Sequence, residues 1–446
     1  MPTALRLTYY GDDFTGSTDA LEFLTRSGLR TALFPSPPTP QQLARFPDLQ
    51  ALGVAGLTRS LTPDAMENEL RPAFTALRAL GAPHVHYKVC STFDSSPKIG
   101  SIGRAIDVGI SVFGAKFVPL LVGVPALGRY CVFGNLFARM GIGSSGEIHR
   151  LDRHPSMSKH PVTPADESDL RLHLARQTKK RIALFDILQV DLPVDEAYTA
   201  LEKLLSAAPD VVLFDLLYAS QLARIGSLID AHASREKPLF SVGSSGIEMA
   251  LGAHWAAQGK LQPVTTWPNP DPAEPLLVVS GSCSPVTARQ IAYATAHGFA
   301  EVVLDPAKLI EGQDGSPGRP PAELSTILNL LRSGQHVVVH TSRGTIDPRI
   351  SPAHAPLLGT ALGQIAHTAV EQANIRRVLF AGGDSSSYAA RALGIEAVEM
   401  IAPLAPGAPL CRAHSTDPLI QNLEVNFKGG QVGPEDYFLT VAGGSL

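Results

Sequence analysis

The strongest chemical signal in the chain is a pair of adjacent carboxylates followed by small hydroxylated residues. It spans residues 10–19, Y-G-D-D-F-T-G-S-T-D. Asp12 and Asp13 close an apolar run, and Thr15, Gly16 and Ser17 open a helical one. A single capping residue, worth about 1 kcal/mol, would be enough for such a helix start. The second acid and the G-S-T run therefore ask for another use. Neighbouring carboxylates point in different directions, so one can accept a proton while the other holds substrate or a cation. A second cluster, residues 88–103 (K-V-C-S-T-F-D-S-S-P-K-I-G-S-I-G), surrounds Asp94 with Ser91, Thr92, Ser95 and Ser96, and with the cations Lys88 and Lys98. Hydroxyls, one carboxylate and ammonium groups together suit a hydroxylated anion such as a sugar acid. The plain alternative is an ordinary Ser-rich loop.

Three further turns are dense in Gly and Ser: 241–246 (S-V-G-S-S-G), 278–287 (V-V-S-G-S-C-S-P-V-T) and 379–387 (L-F-A-G-G-D-S-S-S). Small residues let backbone N–H groups approach a ligand, and the helix that follows adds about half a positive charge. In the second turn Ser284 can cap a helix whose first position is Pro285, where a missing N–H costs nothing. Each turn alone is equally a tight strand-to-helix connection. Their recurrence in one half of the chain points to a nucleotide phosphate site there. Two lookalikes lack the needed context. G-I-G-S-S-G at 141–146 has dinucleotide-fold spacing but neither a preceding β-branched strand nor a long helix after it. G-V-P-A-L-G-R-Y at 123–130 places Arg129 and Tyr130 where a P-loop needs Lys and Ser/Thr. His149, His154 and His160 near Asp152 do not have a zinc-ligand spacing. With Arg150, Arg153 and Lys159 they form a basic stretch able to meet an anion.

These turns need strands to carry them. Short β-rich runs alternate with longer helical ones, the pattern of parallel α/β sheets. Strands are predicted at 5–9, 31–34, 51–55, 85–89, 116–124, 181–190, 211–215 and 238–242. Helices are predicted at 17–27, 62–80 and 247–258. A second series of strands follows at 276–280, 301–304, 336–340, 377–380 and 396–401. The stretch 260–275 between the two series holds five prolines, each without an N–H and with a fixed φ, so it can be neither helix nor central strand. The expected fold is two Rossmann-like, three-layer α/β domains with mostly parallel sheets. The first covers 1–258 as an acid-sugar-binding domain, 259–275 is a Pro-rich linker, and 276–446 binds nucleotide. In open α/β sheets ligands lie beyond the carboxyl ends of the strands, where these turns fall.

Composition removes several classes. The chain has 446 residues, 44% hydrophobic and 17% charged, ample for real cores. A net charge of −4 provides no basic field for a nucleic acid. The longest apolar stretch, 117–127, is about eleven residues and is interrupted by prolines, against about 20 needed to span a bilayer. The start of the chain shows no basic-then-apolar leader. Cys90, Cys131, Cys283 and Cys411 are scattered without a C-x-x-C pair, which suits a reducing compartment. A cytoplasmic protein is expected.

Taken in order, G-D-D-F-T-G-S-T-D, K-V-C-S-T-F-D-S-S-P, V-G-V-P-A-L-G-R-Y, S-G-S-C-S-P-V-T-A-R-Q, A-G-G-D-S-S-S-Y and the tail F-K-G-G-Q-V-G-P-E-D resemble the four-carbon acid sugar kinase family. The likeness runs from about residue 5 to 440. It implies transfer of the γ-phosphate of ATP, with Mg²⁺, to the terminal (4-) hydroxyl of a tetronate or 3-oxo-tetronate. The S-T-F-D-S-S-P wording is closer to the 3-oxo-tetronate branch than to the threonate/erythronate branch. Carried over by motif, Asp12, Asp13, Lys88, Ser91, Asp94 and Ser95 would contact the acid. For the reaction so implied, the general base is one of the two aspartates, Asp13 ahead of Asp12, with the other orienting substrate or a lysine, and the carboxylate end would meet Lys88, Lys98 or a basic loop residue such as Arg129 or Arg153. Gly281, Ser282, Thr287, Gly382, Gly383, Asp384, Lys428 and Gly429 would contact nucleotide, with Gly243 and Ser244 at the domain seam. No protein metal ligand is implied, Mg²⁺ arriving with ATP. Two departures bear on substrate identity. The tail reads Phe427-Lys428-Gly429-Gly430-Gln431-Val432-Gly433 rather than the common L-K-S-G-N-F-G, and the 97–103 loop is one residue longer, with Lys98 where an acid is usual. The expected partners are a small sugar acid and ATP, with a homodimer left open and neither nucleic acid nor membrane. The competing classes are an NAD(P)-dependent hydroxy-acid oxidoreductase and a non-catalytic sugar-acid-binding protein.

Overall fold

The computed structural model describes residues 5–141, 146–160, 162–310, 321–345 and 347–443. The G-I-G-S-S-G stretch falls largely on 142–145, outside the described residues, as does the start of the chain at 1–4. The chain forms two compact units. One comprises 1–12, 23–32 and 36–265; the other comprises 13–22, 33–35 and 266–446. Adjacent acids Asp12 and Asp13 thus count with different units, and so does the helix start that follows them.

In the first unit the strands are β1 (Leu7–Gly11), β2 (Thr31–Phe34), β3 (Ala51–Ala55), β4 (His84–Lys88), β5 (Val118–Leu121), β6 (Arg129–Val132), β7 (Asn135–Arg139), β8 (Ile148–Arg150), β9 (Ile182–Phe185), β10 (Val211–Phe214) and β11 (Leu239–Gly243); the end of β2 counts with the second unit. Parallel pairing runs in the order β3-β1-β4-β11-β5-β10-β9. Runs such as V-V-L-F in β10 are buried at every position, as expected for strands covered by helices on both faces. Their register sets Gly11, Lys88 and Gly243 side by side at the carboxyl ends of β1, β4 and β11. A separate antiparallel sheet, β6-β7-β8, was not foreseen from sequence.

The second unit adds β12 (Leu276–Ser280), β13 (Ala300–Val303), β14 (Val337–His340), β15 (Arg377–Ala381), β16 (Ala397–Ala405), β17 (Ala408–His414) and β18 (Glu424–Lys428). Their order is β13-β14-β12-β15-β18-β17-β16, parallel through β18 and antiparallel from β17 onward. Both units are thus α/β with mostly parallel strands. Several boundaries move for local reasons. The first strand runs two residues later than expected and its helix begins at Phe14, because Asp13 supplies the cap. The expected strand 181–190 ends at Phe185, where Asp186 caps a short helix through a capping box with Gln189. Ser284 does cap the helix Pro285–Ala296, accepting from Val286 N–H. Residues 261–273 form neither helix nor strand.

Candidate functional site

In the second unit the turns at three strand ends meet. Ser280 and Ala381 pair in register, as do Ala381 and Lys428, so the turns after β12, β15 and β18 start side by side. Ser282 Oγ donates to Thr287 Oγ1 at 3.1 Å, and Thr287 Oγ1 donates to the carbonyl of Gly430 at 3.2 Å. Lys428 Nζ donates to the same Thr287 Oγ1 at 3.0 Å. Gln290 holds the tail loop by donating to the carbonyls of Val432, Gly433 and Pro434. Gly382 has φ +126°, a conformation that disfavours side chains, and a Cβ there would lie 2.6 Å from Ser385 Oγ. The structure therefore brings Gly281, Ser282, Thr287, Gly382, Gly383, Lys428 and Gly429 into one place. The side chain of Asp384 lies outside the described part of the structure.

Lys428 is the unusual group of this cluster. It is fully buried, and burial pushes its ammonium down to about 7. No carboxylate pairs with it among the described residues.

Asp13 lies against the same turns. Its Oδ2 is 3.3 Å from the position a Cβ would take on Gly383, so any side chain there would press on the carboxylate. Thr15 Oγ1 donates to Oδ2 at 2.8 Å and Gly16 N–H to Oδ1 at 2.6 Å. The capping reading of Asp13 is thus correct as far as it goes. A carboxylate oxygen has more than one lone pair, so capping a helix does not by itself stop a carboxylate from accepting a proton. The next residue fixes the segment in place: Phe14 N–H donates to Ser387 Oγ at 3.1 Å, and its ring packs 4.4 Å from that of Phe427.

Asp12 has a different environment, and the residue that sets it was missed from sequence. Arg59, in the turn after β3, grips Asp12 with Nη2 to Oδ1 at 2.9 Å and Nε to Oδ2 at 3.2 Å. Its own N–H donates to the carbonyl of Asp12 at 3.1 Å. Asp12 orients an arginine, where the sequence suggested a substrate or a lysine. The available signal was a lone arginine in a turn at the end of a predicted strand. Gly100 lies directly on this turn; a Cβ there would come within 2.5 Å of the carbonyl of Arg59. The loop carrying Lys98 is thereby tied to Arg59.

Lys88 is buried at the end of β4 and donates to Val89 O at 3.1 Å. Two residues back, His86 is held neutral: burial first, and then the charge of Lys88, push it down to about 3. Its Nε2 lies 3.5 Å from the buried Glu248. Ser91 is buried, and Asp94 is half-buried. Ser95 Oγ donates to Phe93 O, contacts His173 Nε2 at 3.0 Å and accepts from Gln177 at 2.9 Å, a structural web. The cavity beside it is about 10 Å³, room for about one water and no more. Lys98 is exposed. Arg129 is buried, and its Nη1 donates to the carbonyls of Leu127 and Arg139. Gly243 and Ser244 close against β5: Ser244 Oγ donates to Val122 O and accepts from Gly246 N–H. A wider hollow of about 520 Å³ on the β6-β7-β8 sheet is lined by Tyr130, Phe133, Phe137, Ile148 and Arg150, the last from the basic stretch singled out in the sequence.

Residues 7–251 match a sugar-binding N-terminal domain and residues 277–438 a nucleotide-binding C-terminal domain. The chain belongs to the four-carbon acid sugar kinase family. With that membership comes the enzyme class, an ATP-dependent sugar-acid kinase. A 3-oxo-isoapionate kinase of Paraburkholderia graminis is 44% identical over 463 aligned positions, covering 100% of this chain and 96% of that protein. A 3-oxo-tetronate kinase of Methylobacterium radiotolerans is 30% identical, covering 98% of each. The fold also matches a solved Haemophilus influenzae protein with TM-score 0.66 and 20% identity, over 97% of this chain and 98% of that one. A Salmonella typhimurium LT2 structure gives 0.73 and 22%, over the same shares. Among the described residues no helix is long and apolar enough to cross a membrane.

Proposed function

We propose that this sugar-acid kinase phosphorylates the terminal hydroxyl of a 3-oxo sugar acid, with residues 1–258 holding the acid, 259–275 linking, and 276–446 holding the nucleotide. The observation that carries the reading is the buried Lys428–Thr287–Ser282 cluster with Asp13 beside Gly383. Phosphoryl transfer asks the protein for alignment and charge neutralisation more than covalent chemistry. Lys428, the hydroxyls and the backbone N–H groups of the glycine turns supply the anion cradle. Asp13, fixed by Thr15 and Gly16, accepts the proton of the attacking hydroxyl. Asp12 holds Arg59, and Lys88 and Arg59 supply positive charge toward the carboxylate end of the acid.

Magnesium suits this arrangement as an ion brought in by ATP. Such ions are held largely by phosphates and water plus one or two carboxylates, and the described residues contain no cluster of three acids, cysteines or histidines that would fix a metal alone. Bound to the phosphates, it offsets their charge during transfer. The four cysteines are all free thiols, in keeping with a reaction run in the cytoplasm.

Between the two 3-oxo acids named for the relatives, we favour 3-oxo-isoapionate. The 44% identity supports it, as does the lengthened 97–103 loop with its Lys98, a departure from the 3-oxo-tetronate wording. The second reading is 3-oxo-tetronate itself. An ADP-release assay with Mg·ATP and a panel of 3-oxo and plain tetronates, isoapionate derivatives and pentonates tests the order. Turnover of 3-oxo acids above all others is expected. Turnover of plain tetronates or pentonates ahead of every 3-oxo acid would overturn the substrate reading.

A further inference from the structure

Lys428 supports a further inference, which rests on the nucleotide reading above. It is the last residue of β18, has no exposed surface, and its Nζ donates one hydrogen bond, to Thr287 Oγ1. Thr287 is itself engaged by Ser282 and donates to Gly430. Most of the acids described on the surrounding elements have other partners. Asp13 is bound by Thr15 and Gly16, Glu22 accepts from Gly407 N–H, and Glu424 at the far end of β18 is paired with Arg377. Asp19 lies beside Gly407, and Glu435 reaches Arg289. On β17, His414 pairs with Glu399, while burial pushes the Cys411 thiol far up and keeps it neutral. Cys283 is an exposed thiol in the turn before Pro285, and Asp384 opens the helix Gly383–Ala392. Among the described side chains, none forms an ion pair with Lys428.

A full charge buried with one neutral partner is costly, and an amine in that position gives up its proton readily. A polyphosphate changes the balance, since it brings several negative oxygens to where the strand-end turns already present hydroxyls and N–H groups. We propose that the nucleotide's phosphate chain and a proton enter this site together, the proton going to Nζ of Lys428. The balance is simple: a neutral amine takes one proton from solvent and the resulting ammonium donates to a phosphate oxygen, with no covalent bond of the nucleotide changed. Burial sets the pH window, because it brings the empty-site lysine down to about 7. Below that pH the lysine already carries its proton and binding recruits none. Above it, affinity falls about tenfold per pH unit until the lysine of the complex also titrates.

The test is calorimetric titration of the full chain with Mg·ADP near pH 8, in HEPES and in Tris, whose ionisation enthalpies differ. Between about half a proton and one proton taken up per nucleotide is expected, with affinity dropping about tenfold from roughly pH 7.5 to 8.5. Lys428→Arg, whose guanidinium stays protonated, should bind without that uptake and with a flat pH profile. Equal uptake in wild type and K428R, or none in wild type, overturns the proposal while leaving the nucleotide site standing. No Mg·ADP binding by the wild type at any pH removes the nucleotide reading itself. Should K428R fold poorly, the proton count and pH profile of the wild type decide the matter alone.

Discussion

Each unit ends a parallel strand with a buried lysine, Lys88 on β4 and Lys428 on β18, and the two have different neighbours. Lys88 Nζ donates to a backbone carbonyl, that of Val89, and its strand also carries His86, 3.5 Å from the buried Glu248. Lys428 Nζ donates to a hydroxyl, that of Thr287, which Ser282 also engages. The first strand end mixes ammonium, imidazole and carboxylate; the second, among the described side chains, gathers hydroxyls about a lone amine. The adjacent acids divide in the same way, Asp12 gripping an arginine in the first unit and Asp13 capping a helix in the second. Residue type says little about role here; the partners within 3–4 Å decide it.

The largest effect expected from disturbing this contrast is at Asp13. Asp13→Asn should lower kcat by about 10²–10⁴, the range for losing a positioned base, while Mg·ADP affinity in calorimetry stays near wild type. An unchanged kcat would move the base elsewhere and make Asp13 a cap alone. Next is Lys428→Met, expected to cost about 10²-fold or more in kcat/KM, in keeping with loss of a charged phosphate contact. The same variant should melt a few degrees higher near pH 7. The folded lysine titrates near 7 and the unfolded one near 10.5, so between those values the unfolded chain binds more protons and stability rises with pH. The gap in Tm between wild type and variant should therefore narrow toward about pH 10. A gap independent of pH would mean that Lys428 is charged in the fold.

Arg59→Leu sharpens the other half of the contrast. Asp12 would remain buried without its guanidinium, at a cost of about 1–3 kcal/mol because Arg59 is itself partly solvated, read as a shift in denaturation midpoint. KM for the sugar acid should rise more than KM for ATP. The smallest effect belongs to Lys98→Glu. An exposed charge is worth well under 1 kcal/mol or so, and a change of about two- to fivefold in KM for the acid with kcat unchanged is expected.

Much of the scaffold was legible because parallel strands covered on both faces must be apolar throughout, and L-L-V-V-S or V-V-V-H can hardly be anything else. The glycine-rich turns after β12 and β15 were legible for a related reason, since each follows such a strand, while Thr287 lies in the helix beyond its turn and Lys428 ends a strand that was not foreseen. Arg59 was not legible, because its partner lies 47 residues away and only the parallel register of β1 with β3 joins them. The strands β17 and β18 were missed because an alternating strand–helix template has no place for three strands in succession without a helix between them, of which β17 runs antiparallel to its neighbours. Ser95 shows the converse difficulty: a polar residue in a suggestive motif whose hydroxyl is engaged by Phe93 O and a histidine–glutamine web. Composition cannot separate a group awaiting ligand from one already engaged by the fold.

The short N-terminal strip 13–22 has a consequence for anyone cutting this protein into pieces. Its Phe14 ring is fully buried against Phe427, one residue before Lys428. A fragment beginning at residue 266 would keep strands β12 to β18 and yet have a socket with no plug, an oily gap beside its most demanding lysine. Added back as a peptide or fused ahead of the fragment, those ten residues should act as a missing keystone, and a truncation planned from linear order alone would leave them with the wrong half.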